Sequence, residues 1–129
     1  MVANLLTQLG YAASVADVRR RLERLLASEA DVQLAAVIAG EVVGLAGLQV
    51  GLALEYDAPV GKVSELVVEE RHRSRGVGRA LVAAVEQEAR HRGCCLLYLT
   101  TAARRKDAHM FYERIGFEET GKRFVKMLD

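Results

Sequence analysis

Two rhythms of apolar residues divide this chain into elements. Ser14 stands ahead of a stretch in which Val15, Val18, Leu22, Leu25 and Leu26 fall on one helical face, with Arg19, Arg20, Arg21 and Glu23 turned outward. Residues 33–39 and 42–54 are dense in β-branched and small apolar side chains and read as antiparallel strands joined at a short turn, Gly40-Glu41. Asp57-Ala58-Pro59 breaks the chain before a third strand over residues 61–69. The period then returns to 3.6: residues 77–92 form a helix with Leu81, Ala84, Val85 and Ala89 inward, and Gly93 ends it. A buried strand over 96–101, a helix over 104–115 and two short strands around Gly121 within 117–128 complete the pattern. The fold class that follows is α/β (α+β): a mixed, mostly antiparallel central sheet with helices on both faces.

Composition narrows this picture without redirecting it. The 129 residues suffice for one domain, spanning 1–129, with a single core. Half the residues are apolar and 27% are charged, as in ordinary globular proteins, and a net charge of +1 gives no global pull toward nucleic acid or an anionic membrane. No apolar run reaches the length of a membrane span and no signal peptide opens the chain, so a cytoplasmic protein is expected. Cys94 and Cys95 are adjacent, which disfavours a bridge between them; two buried thiols entering a strand fit a reducing compartment, and no metal site is expected.

The chemistry concentrates where the third strand runs into the long helix. An apolar run stops at Val68, and Arg73-Ser74-Arg75-Gly76-Val77-Gly78-Arg79 opens the helix, with Arg71 just upstream. Strand, closely spaced glycines and helix N-terminus make an anion site, because backbone N–H groups and the helix dipole converge there. The dinucleotide fingerprint would need glycine at position 81, which is leucine, and no Gly-Lys-Ser/Thr follows a glycine loop. What remains, Arg-x-x-Gly-x-Gly after a strand ending Leu66-Val67-Val68, resembles the acetyl-coenzyme A pyrophosphate loop of the GNAT superfamily of N-acetyltransferases. A second segment is similar to the same superfamily: Ala108, Phe111, Tyr112 and Ile115 form one helical stripe, Gly116 sits where a left-handed C-terminal residue belongs, and Phe117 can pack back on the last turn.

The resemblance implies a GNAT-like acyl-CoA N-acyltransferase fold and a set of roles. The pantetheine arm of acetyl-CoA would lie between the third strand and the strand at 96–101, which splay apart. Backbone groups of Leu66, Val67 and Val68 line it, and the Val68 N–H would polarise the thioester carbonyl. The pyrophosphate would take N–H groups from Arg73, Ser74, Arg75, Gly76, Val77, Gly78 and Arg79. Tyr112 would face the sulfur. A phenol of pKa about 10 is a weaker acid than a thiol of about 8.5, so complete proton transfer is uphill by about 2 kcal/mol and Tyr112 would act by hydrogen bonding to developing thiolate.

Glu65 is the foremost base for the protonated amine, through water; the rival role is a strand carboxylate paired with Lys62 or an arginine. His72 and His109 are alternatives, whereas His91 and Arg92 complement the dipole of a helix end. Arg105 stands where family members often carry asparagine, and either opens a solvated helix or contacts coenzyme phosphate or an acidic substrate. The resemblance runs from about residue 5 to 128, but only residues 3–9 precede Gly10-Tyr11, so the first strand is short or missing and the edge at 33–39 is exposed. A homodimer is therefore expected. Two functions remain: transfer of acetyl from acetyl-CoA directly to a primary amine of a small molecule or protein, or a catalytically silent acyl-CoA-binding module.

Overall fold

The computed structural model describes residues 14–100 and 106–128. Helix α1 spans Val15–Leu26, and strands β1, β2 and β3 span Asp31–Ile38, Glu41–Gly51 and Val60–Val68. A 3-10 turn at Glu70–His72 leads to α2, Val77–His91, followed by β4, Leu96–Tyr98, and α3, Lys106–Arg114. The strands form one sheet in the order β1-β2-β3-β4, antiparallel except for the parallel β3–β4 pair. This is the mixed, mostly antiparallel sheet flanked by helices that the pattern predicted.

Local chemistry explains the boundaries. Ser14 and Asp17 cap α1 reciprocally: the Asp17 N–H donates to Ser14 Oγ at 3.1 Å and the Ser14 N–H to Asp17 Oδ2 at 3.3 Å. That cap, with Arg20 beside it, holds the Asp17 carboxyl below its ordinary range. Ala39 and Gly40 both have positive φ, so the β1–β2 hairpin turns on that pair, one residue before the expected Gly40-Glu41. Both later helices end alike: the Cys94 N–H reaches the Ala89 carbonyl, and the Phe117 N–H the Tyr112 carbonyl, each across a glycine in the left-handed region. Arg92 does more than complement a dipole, because it bonds Glu88 at 3.0 Å and the Glu29 carbonyl at 2.7 Å, tying the end of α2 to the α1–β1 turn.

The core lies between α2 and one face of the sheet. Leu81, Val85 and Ala89 pack on Ala46, Leu48 and Val63, with Leu34, Ala36, Leu66 and Val68 at the margin. Several expectations need correction. Ala84 is exposed and Val82 is buried in its place, because the buried stripe is rotated by part of a turn. Val15 and Leu26 are exposed, so only the centre of the α1 stripe, at Val18, is buried. Strand β4 pairs over three residues and does not continue through 99 and 100, while 101 lies outside the described residues. Residues 117–128 form no strand, since no described strand offers them a ladder and Phe124, Met127 and Leu128 stay exposed. Cys94 is half-buried and Cys95 exposed, so they are not two buried thiols, although both are free. The expectations for residues 3–9, Arg104 and Arg105 lie outside the described residues.

The pairing of β2 with β3 slips once. Ala46 faces Leu66 but Leu48 faces Val63, so two residues of β3, Ser64 and Glu65, share the place opposite Gly47. The absent side chain is what admits them: a Cβ on Gly47 would collide with Ser64 Oγ and lie 2.6 Å from Glu65 Oε1. Gly47→Ala is therefore expected to cost about 1–3 kcal/mol in urea unfolding. An unchanged midpoint and slope would show that the bulge does not depend on this glycine.

Candidate active site

Ladder parity decides which backbone groups of β3 are available. The Glu69 N–H donates to the Val43 carbonyl at 2.7 Å, so residues 67 and 69 address β2. Leu66 and Val68, in the alternate phase, turn their N–H and carbonyl groups to the other side, where β4 would pair. There β4 is missing: the parallel register runs from Val60–Leu96 to Lys62–Tyr98 and no further among the described residues. Among the described residues the second half of β3 therefore has no strand on that side, and this open side is the wedge. One group facing it is taken, since Arg73 Nε donates to the Val68 carbonyl at 3.1 Å.

The loop after β3 is shaped by its own contacts. Glu69 accepts from Arg71 Nε at 2.8 Å and lies 3.5 Å from His72 Nε2, which pins the 3-10 turn and leaves His72 Nδ1 buried without a partner. Ser74 and Gly76 have φ of 64° and 81°, turning the chain back on itself before α2. The first intrahelical bond runs from the Ala80 N–H to the Gly76 carbonyl, so the N–H groups of Val77, Gly78 and Arg79 lie ahead of the ladder at the positive end of the dipole. The two glycines serve different needs. A Cβ on Gly76 would project into open space, whereas one on Gly78 would touch Phe111 at 3.4 Å and Val68 at 3.6 Å.

That contact joins the two distant motifs. Phe111 of α3 rests against the first turn of α2 at Gly78, and Tyr112 stacks edge-on against both Phe111 and Phe117, with centroids 5.4 and 5.8 Å apart. Tyr112 is thus held on α3 between Phe111 and Phe117, on the stripe that the helix period predicted. His109 is half-buried on the same helix. Arg75 and Gly76 end a groove of about 440 Å³ between β1 and α2, and Arg79 and Arg114 flank another of about 360 Å³ between α2 and α3.

Glu65 lies half-buried on the sheet face away from α2, over Gly47 and one strand back from the wedge. Burial pushes its carboxyl above the ordinary value of 4.5, Ser64 and Gln33 draw it back, and Asp31 raises it. Neither Lys62 nor an arginine pairs with it among the described contacts, so the expected ion-pair alternative is replaced by this polar row. Sequence reasoning passed over Asp31, Gln33, Gly47 and Ser64. The available signal was a glycine in the buried stretch of β2 facing Ser64-Glu65, which breaks the apolar run of β3. Among the described residues no cluster of His, Cys, Asp and Glu could hold a metal, and no helix is long and apolar enough to cross a membrane.

A raised carboxyl pKa means that the folded state disfavours the ionised form, so wild-type stability falls as pH climbs from the ordinary carboxylate range through the folded pKa. Glu65→Gln removes that loss. The variant is expected to melt higher than wild type at about pH 8, with the gap closing by about pH 4, where both side chains are neutral. An equal gap at both pH values would rule out the buried charge as its source.

Comparison with known proteins gives the family and the fold. Residues 3–117 match the model of the acetyltransferase (GNAT) family. Over 89 residues the chain is 40% identical to the aminoalkylphosphonate N-acetyltransferase of Salmonella typhimurium, covering 69% of this chain and 58% of that protein. Over 108 residues it is 37% identical to the aminoglycoside N(6′)-acetyltransferase type 1 of Stenotrophomonas maltophilia, covering 77% of this chain and 69% of that one. The chain thus spans little more than half the length of the first of these relatives. The solved aminoglycoside N-acetyltransferase AAC(6′)-Iy in complex with CoA superposes with a TM-score of 0.86 over 98% of this chain and 86% of that one, at 22% identity, a likeness of fold. By its matched sequence and by the sheet that carries it, this chain belongs to the GNAT acetyltransferase family.

Proposed function

We propose that this chain is an acetyl-CoA-dependent N-acetyltransferase that passes acetyl directly to a primary amine. The observation that carries the reading is the conjunction of a β3 ladder open at Leu66–Val68 among the described residues, a glycine-turned helix N-terminus, and Phe111, the ring neighbour of Tyr112 on α3, set against that N-terminus. The loop from Arg73 to Arg79 holds the pyrophosphate on backbone N–H groups, with the exposed Arg75 and Arg79 adding charge. Arg71 and Arg73 shape the loop through Glu69 and the Val68 carbonyl. Arg105 keeps its proposed contact with a coenzyme phosphate.

Within the wedge, the Leu66 and Val68 N–H groups fix the arm, and the Val68 N–H stabilises the oxyanion that forms as the amine attacks the thioester. Glu65 takes the proton of the attacking ammonium through a water, because its carboxylate leans over Gly47 rather than toward β4. Tyr112 donates to the thiolate as the carbon–sulfur bond breaks. A silent coenzyme-binding module would need neither Glu65 nor Tyr112. The names of the matched relatives make aminoalkylphosphonates and aminoglycosides the first acceptors to try. The free thiols suit a cytoplasmic location.

Thiol release from acetyl-CoA over an amine panel tests the reading. Wild type is expected to turn over at least one primary amine, and Tyr112→Phe to lower kcat about 10- to 1,000-fold with little change in coenzyme affinity. Wild-type turnover in the variant would remove Tyr112 from the mechanism, and coenzyme binding with no turnover on any amine would favour the silent module.

The assembly is a homodimer in this reading. Strand β1 is the sheet's edge among the described residues, with Val37 58% and Ile38 42% exposed, and the apolar groove beside it is lined by Leu34, Ala36 and Leu81. An apolar edge of this kind is stabilised when a second copy covers it. Light scattering at micromolar concentration is expected to give twice the chain mass, and a monomer mass at every concentration would refute the dimer.

A further inference from the structure

On the sheet face away from α2, Gln33 of β1, Gly47 of β2 and the Ser64-Glu65 bulge of β3 form one cross-strand row, because Gln33 pairs with Gly47 and Gly47 faces the bulge. The middle strand contributes no side chain, so a side chain from β1 and one from β3 approach each other across it. The Glu65 carboxylate leans over Gly47, whose partner on the far side is Gln33. Gln33 Nε2 is buried and has no hydrogen-bond partner among the described residues. Leaving such a donor unsatisfied costs about 1–3 kcal/mol, so it demands an acceptor, and an ionised carboxylate is the strongest one in reach.

The neighbours leave this task to Gln33. Asp31, the charged group of β1 on this face, is engaged with Gln49 Nε2 at 3.3 Å and repels a charge on Glu65. Lys62, opposite Gln49, is the cation of β3 on this face, and it is not among the groups that act on Glu65. On β3 itself, Ser64 supplies the other hydrogen bond. Burial and Asp31 thus favour a neutral Glu65, and two neutral donors oppose them.

We propose that Gln33 is a positioning residue for Glu65, its amide N–H donating to the carboxylate across Gly47 and keeping it ionised and oriented to receive a proton. This rests on Glu65 being the base, as proposed above. A buried base whose pKa rises unchecked stays protonated where it must accept, and an amide donor limits that rise without adding a charge that would compete with the amine.

Gln33→Met keeps the length and removes the donor, while Gln33→Glu replaces it with a like charge. The carboxyl resonance of Glu65, titrated by carbon-13 NMR in the unliganded protein, is expected to move up by about half to one pH unit in Gln33→Met. It should move further up in Gln33→Glu, which also serves if Gln33→Met fails to fold. The acidic limb of the kcat/KM profile should move by the same amount, with KM for acetyl-CoA unchanged. A Glu65 titration unmoved in both variants would overturn the proposal. A titration that moves while the limb stays fixed would support the Gln33 contact and show instead that Glu65 is not the base.

Discussion

The bulge of β3 over Gly47 is the constraint on which the rest of the site depends. One extra residue in one strand changes the phase of every side chain beyond it. Before the slip Val63 faces α2; after it Leu66 and Val68 do, a spacing that uninterrupted alternation would forbid. The same slip puts Ser64 and Glu65 together on the opposite face. It also coincides with the end of the described pairing to β4, so among the described residues the half of β3 beyond it meets no neighbouring strand on that side. A carboxylate on one face, open N–H groups at the edge and a core-facing stripe on the other face all follow from one irregularity.

The wedge would be a liability without the helices that frame its tip. Unpaired ladder groups are a template for aggregation unless covered or used. Here the chain leaves β3 through a turn pinned by Glu69 and enters α2 with its N-terminus at the end of the opening. Gly78 lets Phe111 close against that first turn, which fixes α3 and with it Tyr112. The helix N-terminus and the open ladder are thereby carried by backbone, and the phenol by the ring packing of α3.

Elements with strong local signals were legible in the sequence. Ser14 specifies a cap, Gly93 and Gly116 specify helix ends, and each appears where its chemistry requires. The glycine loop and the Tyr112 stripe could be read because their spacing is local. What could not be read is set by partners distant in the chain. The partnership of Gln33 with Glu65 depends on the register of three strands, and no pattern within β1 or β3 reports it. The exposure of Ala84 depends on how α2 is rotated against the sheet, which its apolar stripe leaves undecided between neighbouring positions. Residues 117–128 alternate well enough to suggest strands, yet strand formation needs a ladder as well as a pattern, and none is offered to them among the described residues.

The account stands on the open edge of β3 being the place where the coenzyme is held. Amide resonances followed by two-dimensional nitrogen-15 NMR during titration with CoA test this directly. The Leu66 and Val68 amides should shift together with those of Gly76, Val77, Gly78 and Arg79, while amides of the β1 edge stay in place. Saturable binding that leaves the Leu66 and Val68 amides unperturbed would contradict it.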